Sequence, residues 1–120
     1  MNLANAVRRA KRVFIVGNGG SYANAMHICN DLLGCGIPAF SMDPATLTAF
    51  ANDYGYDGAF ARWLRVVAEK GDLLIALSGS GKSPNILGNS LGERRGVNPT
   101  CSRPARRRET PRRLPGHYGR

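Results

Sequence analysis

Two short apolar runs, each breaking into a glycine- and serine-rich loop and then a helix-like stretch, constrain this chain more than any other feature. Val13-Phe14-Ile15-Val16 leads into Gly17-Asn18-Gly19-Gly20-Ser21, and Leu73-Leu74-Ile75-Ala76-Leu77 leads into Ser78-Gly79-Ser80-Gly81-Lys82-Ser83. Runs this short and this apolar, bounded by turn residues, read as strands buried on both faces. Strands that alternate with helices define βαβ units and a parallel sheet. The predicted fold is α/β, a three-layer open parallel sheet. Both loops follow a strand and precede a helix, so they lie at the carboxyl edge of the sheet, where open α/β folds bind ligands.

The intervening segments fit this plan. Ser21 stands where a helix N-cap belongs. Ala25, Met26, Ile28, Cys29, Leu32 and Leu33 then form one apolar arc, with Asn24, His27, Asn30 and Asp31 opposite, before Gly34 and Gly36 end the helix. Ile37 to Met42 reads as a second strand despite Pro38. Asp43-Pro44 is a cap followed by proline at the first helical position, opening a short helix through Phe50. Asn52-Asp53-Tyr54-Gly55 is turn chemistry. Asp57 is a candidate cap for a helix with Phe60, Trp63, Leu64 and Val67 at i, i+3, i+4 and i+7, ending at Gly71. Pro84-Asn85-Ile86-Leu87 begins another helix.

The net charge of +9 over 120 residues suggests a nucleic-acid partner until it is divided along the chain. Residues 1–90 carry a net +2, and residues 91–120 carry +7. The chain therefore divides into a folded region, 1–89, and an Arg/Pro-rich tail, 90–120. The tail contains four of the seven prolines and the run Arg106-Arg107-Arg108. It reads as a disordered basic extension or as text from a shifted reading frame, and any nucleic-acid binding is expected to go through it. Cys29, Cys35 and Cys101 form no CxxC pair, which argues against a disulfide framework or a zinc finger. No apolar run approaches the roughly 18 residues of a membrane span, and the start has no cleavable-leader pattern. A cytoplasmic protein is expected.

The loop from Ser78 to Ser83 joins three hydroxyls with two glycines, so backbone N–H and side-chain O–H groups can converge on one anion. Two readings compete for it. Ala76 to Ser83 spells A-x-x-x-x-G-K-S, one residue short of a nucleotide-binding P-loop. Against that, Pro84 follows directly, no acid-tipped strand comes after, and the loop follows the third strand rather than the first.

The other reading rests on four motifs in order: Gly17-Asn18-Gly19-Gly20-Ser21, Ala25-Met26-His27, Asn52-Asp53-Tyr54-Gly55, and Leu77 to Asn85. Over about residues 3–88 this set resembles the SIS (sugar isomerase) phosphosugar-binding domain of the phosphoheptose isomerase type. The resemblance implies a flavodoxin-like or Rossmann-like sheet, with about three of five strands present before residue 89. It implies that Ser78, Gly79, Ser80 and Ser83 hold a sugar phosphate. Asn18, Gly19, Gly20, Ser21, Asn52 and Asp53 then complete the substrate site. The family pattern has Thr where Gly79 stands and commonly Asn where Lys82 stands.

His27 and Asp31 are spaced i, i+4 and share a helix face. On the wheel alone they read as a solvated polar face. The resemblance implies that they are half of a divalent-metal site, such as zinc, with Asp31 a candidate base and His27 a candidate catalytic group. The family usually has Glu where Asp31 stands. Its late helix, which bears a further His, has no counterpart after residue 88. The expected function is isomerisation of sedoheptulose 7-phosphate to a heptose 7-phosphate, with this chain a truncated, weakly active or inactive form. The alternative is a non-catalytic phosphosugar-binding module. The resemblance also implies a homo-oligomer, as intact relatives are tetramers.

Overall fold

The computed structural model describes residues 2–87 and 98–102 of the 120. In chain order the elements are α1 (Leu3–Arg9), β1 (Val13–Gly17), α2 (Gly20–Gly34), β2 (Ala39–Phe40), α3 (Pro44–Tyr54), a 3-10 turn (Tyr56–Gly58), α4 (Ala59–Val67), β3 (Leu73–Leu77), α5 (Pro84–Leu87) and β4 (Asn98–Ser102). All pairings are parallel, in the order β2-β1-β3-β4.

Side chains alternate across a strand, and here the alternation sorts the core into two layers. Val13, Ile15, Leu73 and Ile75 pack with Ala25 and Cys29 of α2, with Val7 of α1 against them. Phe14, Val16, Leu74 and Ala76 pack on the opposite face with Met42, Phe60, Ala61 and Leu64, and with Ile86 of α5. Trp63 meets Phe14 edge-on at 5.5 Å between ring centroids. The sheet is thus sandwiched between α1/α2 and α3/α4, the three layers that the sequence predicts.

The strand order fixes where a ligand fits. From β1 the chain crosses by α2 to β2 on one side, and then by α3 and α4 to β3 on the other side of β1. The connections leaving β1 and β3 therefore diverge, which makes the gap between their carboxyl ends a topological switch point. Gly17 pairs with Leu77 in register, so the two glycine-serine loops emerge side by side.

At the other edge, a buried carboxylate ties β3 to the start of β1. Arg12 donates from Nε to Asp72 Oδ1 at 3.1 Å and from a terminal nitrogen to Oδ2 at 2.6 Å. It also donates to the Val67 carbonyl, while the Glu69 N–H donates to Asp72. The Asp72 side chain has no solvent exposure.

Several boundaries differ from expectation. The sheet has a fourth strand, β4, inside the segment read as structureless; the rest of that tail, and any nucleic-acid binding by it, lies outside the described residues. The second strand shrinks to Ala39–Phe40, since Pro38 supplies no N–H to the ladder. Residues 3–9, unassigned by pattern, form α1, capped by the Asn2 side chain on the Asn5 N–H. Helix α2 is capped by Gly19 at φ +53°, not by Ser21, which lies one residue inside the helix. Helix α3 runs past Phe50 through the expected turn to Tyr54, because polar Asn52 and Asp53 are tolerated on its exposed side and only Gly55, at φ +86°, stops it. Asp57 sits within the 3-10 turn and caps nothing; α4 starts after Gly58 and ends at Val67, short of Gly71. By contrast, Asp43 caps α3 with Pro44 at its start, as read from the sequence.

Cys29 lies buried against the sheet, and burial pushes its thiol up to about 11. Cys35 is exposed at the end of α2. A thiol reagent at neutral pH is therefore expected to modify Cys35 within minutes and leave Cys29 intact until the protein unfolds, because the thiolate is the nucleophile. Peptide mass mapping of the labelled chain reads both sites at once, and early labelling of Cys29 would contradict its packing.

Candidate ligand site at the ends of β1 and β3

The first loop is built by a close approach that only glycine permits. A β-carbon on Gly17 would lie 2.8 Å from both the carbonyl carbon and the oxygen of Ser21. The Ser21 N–H donates back to the Asn18 carbonyl at 2.9 Å, closing the turn into α2. Gly19 and Gly20 are exposed, with nothing within 4 Å of where a side chain would begin, leaving their backbone open to a ligand.

The second loop is organised by its own hydroxyls. Ser78 is buried, and its Oγ accepts from the Gly81 N–H at 3.0 Å. Ser80 is exposed, and its Oγ accepts from the Lys82 N–H at 3.1 Å. Gly81 takes φ +66°, a left-handed value that folds the loop back over the end of β3. Gly79 is open, and Ser83 is half-buried at the entrance to α5. Each accepting hydroxyl keeps its own O–H free to donate to an anion. Lys82 is exposed.

The two loops are joined by a pair of amides. Asn18 Nδ2 donates to Asn85 Oδ1 at 2.8 Å, and Asn85 Nδ2 donates to Asn18 Oδ1 at 2.7 Å. The Tyr56 hydroxyl, from the 3-10 turn, donates to the same Asn18 oxygen at 2.7 Å. Asn85 is 2% exposed, a buried polar side chain whose amide is satisfied by Asn18. Sequence reading placed Asn18 in the site but assigned no role to Tyr56 or Asn85. The only available signal was the position of Asn85 within the motif ending the third-strand loop.

The remaining predicted residues lie on helices α3 and α2. Asn52 and Asp53 lie exposed on the last turn of α3, where the Asn52 amide donates to the Asp53 carboxylate at 3.2 Å. His27 Nε2 and Asp31 Oδ2 face each other at 3.4 Å on the outside of α2, both well exposed. A helix rises about 1.5 Å per residue, which puts His27 about 9 Å and Asp31 about 15 Å along the axis from Ser21, back from the carboxyl edge. Imidazole and carboxylate are suitable donors for a divalent ion, but zinc takes about four ligands. No group of three or more His, Cys, Asp or Glu that could hold a metal occurs among the described residues. The pair alone does not make a metal centre.

An open parallel sheet with two serine- and glycine-rich loops stitched together at its switch point defines an α/β domain with a donor-rich carboxyl edge. Comparison with known proteins makes the class specific. Residues 1–91 match the family model for the SIS domain, and the chain belongs to that family. It is 43% identical over 101 residues to the phosphoheptose isomerase of Bradyrhizobium sp. (strain BTAi1), covering 78% of this chain and 50% of that one. It is also 43% identical over 90 residues to the phosphoheptose isomerase of Nitratiruptor sp., covering 68% and 48%. The structure of the phosphoheptose isomerase from Neisseria gonorrhoeae superposes with a TM-score of 0.73 at 30% identity, covering 80% of this chain and 54% of that chain. The Francisella tularensis phosphoheptose isomerase gives 0.63 at 32%, covering 69% and 50%. The chain spans about half the length of the relatives it matches. Family membership decides against the nucleotide-loop reading of Ala76 to Ser83. No described helix is long and apolar enough to cross a membrane.

Proposed function

We propose that this chain is the phosphate-gripping part of a phosphoheptose isomerase and binds a phosphorylated ketose of the sedoheptulose 7-phosphate type. The observation that carries this reading is the Asn18–Asn85 amide pair, which holds the β1 loop and the β3 loop together as one cradle. In the reading, Ser78, Ser80, Ser83 and the N–H groups of Gly79 and its neighbours take the phosphate. Asn18, Gly19, Gly20 and Ser21 face the sugar, with Asn52 and Asp53 beyond them.

Aldose–ketose isomerisation needs a base to remove the proton next to the carbonyl and an acid to serve its oxygen. Anchoring a remote phosphate contributes binding energy that orients the reacting carbons. Asp31 is the candidate base and His27 its neighbour. A divalent ion such as zinc held by this pair and by further ligands would polarise the carbonyl oxygen. The solvent exposure of His27 and Asp31 favours a second reading, in which the chain binds phosphosugar without turning it over. We further read the protein as a cytoplasmic homo-oligomer. Met26 and Leu33, predicted to be core, are 46% and 55% exposed on α2 and leave an apolar strip beside His27.

Titration calorimetry with sedoheptulose 7-phosphate, free sedoheptulose and inorganic phosphate tests the proposal. The sugar phosphate is expected to bind most tightly and the free sugar not measurably. Ser78→Ala removes a buried hydroxyl that shapes the loop and is expected to weaken binding about tenfold or more. Equal affinity for sugar phosphate and inorganic phosphate would refute sugar recognition. Proton exchange at the carbon beside the carbonyl, followed by NMR in deuterated water, separates an isomerase from a binding module.

A further inference from the structure

Asn85 has no open route to a ligand, since it is 2% exposed and its amide faces Asn18. A buried amide is tolerated where its hydrogen bonds are satisfied, whereas an apolar residue at this point in α5 would need no partner. What the amide does instead is meet Asn18 in both directions, across 67 positions of sequence. Tyr56 meets the same oxygen from the 3-10 turn, which packs against α4 and α5. Asn18 is thereby held on one edge by Asn85 and over its oxygen by Tyr56. Of its amide groups, one N–H is spent on Asn85, and the other remains for a ligand.

We propose that Asn85 and Tyr56 are positioning residues that act through Asn18: they fix its amide so that its remaining donor meets the sugar while the serine loop holds the phosphate. This rests on the phosphosugar reading above and deepens it by separating the two ends of the ligand. Asn85 and Tyr56 govern recognition of the sugar part, and inorganic phosphate, which fills only the serine loop, is indifferent to them. Tyr56 is 45% exposed, so its hydroxyl can be removed without opening the core.

The experiment is a double-mutant cycle on ligand affinity in the 120-residue chain, using Asn18→Ala, Asn85→Ala, Tyr56→Phe and the two pairs with Asn18→Ala, each titrated with sedoheptulose 7-phosphate and with inorganic phosphate. Asn85→Ala and Tyr56→Phe are each expected to weaken sugar-phosphate binding about fivefold or more and to leave phosphate binding within twofold. Added to Asn18→Ala, neither is expected to cost anything further, because residues acting through a shared partner are not additive. Additive losses, or equal losses for both ligands, overturn the inference while leaving the phosphosugar reading intact. A parent chain that binds neither compound overturns both. Tyr56→Phe keeps the test decisive if Asn85→Ala fails to fold, and a further measurement needs no ligand. The side-chain amide protons of Asn18 are expected to lose their dispersion and exchange faster with water in Tyr56→Phe; unchanged signals would overturn the positioning role.

Discussion

Replacing Asp72 with alanine is expected to cost about 1.5–3 kcal/mol of stability, the usual range for hydrogen bonds to a charged group, because the Arg12 left behind is partly exposed and can be solvated. Small domains have roughly 5–15 kcal/mol in total, so the loss should lower the urea midpoint measurably. The loss has three parts in the structure: both Arg12 bonds, the Glu69 N–H, and the closure of the turn that delivers β3. Urea denaturation followed by circular dichroism measures it. Replacing both members, Arg12→Met with Asp72→Leu, is expected to recover much of the loss, because an apolar pair needs no desolvation. If Asp72→Ala unfolds at the parent's urea concentration, the pair contributes nothing.

The same carboxylate predicts an acid dependence. Burial alone would push the Asp72 carboxyl up, but the Arg12 hydrogen bonds, the Glu69 N–H and the positive charges of Arg12 and Lys11 together outweigh it and hold it below the ordinary value. A group whose folded pKa is depressed binds protons more readily when unfolded. Its stabilising contribution is therefore complete above about pH 4, the ordinary carboxylate range, and is lost as acid brings the pH down through the folded value. The parent chain should lose stability on acidification in that window. Arg12→Met with Asp72→Leu should flatten the curve there.

The second large effect is expected at Gly17. An alanine methyl there would press on the backbone carbonyl of Ser21, 2.8 Å away, and a backbone group with a helix behind it has little room to yield. Overpacking of this kind costs about 1–3 kcal/mol. The larger consequence is geometric: the start of α2 must move, carrying Gly19, Gly20 and Ser21 away from the serine loop. Gly17→Ala should remain folded and lose at least tenfold in affinity for sedoheptulose 7-phosphate. Gly34→Ala, at the far end of α2 with open space where its methyl would go, is the control for a small added side chain away from the loops. Parent-like affinity in Gly17→Ala would show that the loop's approach to α2 has no bearing on binding.

Residue type and spacing were enough to find the strands and loops that build the site. Apolar strands of five residues ending in glycine and serine have few alternatives to a buried parallel sheet, and the loops at the ends of β1 and β3 could be placed on one edge without coordinates. Boundaries were less legible where local preference yielded to context. Asn52 and Asp53 have turn chemistry but continue α3, because their side is exposed and nothing opposes the helix before Gly55. The apolar arc of α2 was too wide by Met26 and Leu33, since the sheet face beneath accommodates only the narrower stripe through Ala25 and Cys29.

By itself the sequence determined the layer architecture, the sheet edge where the chemistry lies, and the serines and glycines that form the two loops. These follow from periodicities of two and about 3.6 and from the limited conformations open to each residue, all of which are local. Only the tertiary structure decided that Asn18 is gripped by Asn85 and Tyr56, that Arg12 neutralises Asp72, and that His27 and Asp31 are exposed on the outside of α2. The contacts of Asn18 and Arg12 join residues 38 to 67 positions apart. A hydrogen bond between such distant groups imposes no repeat on the sequence around either one, so it becomes readable only when the sheet has brought them together.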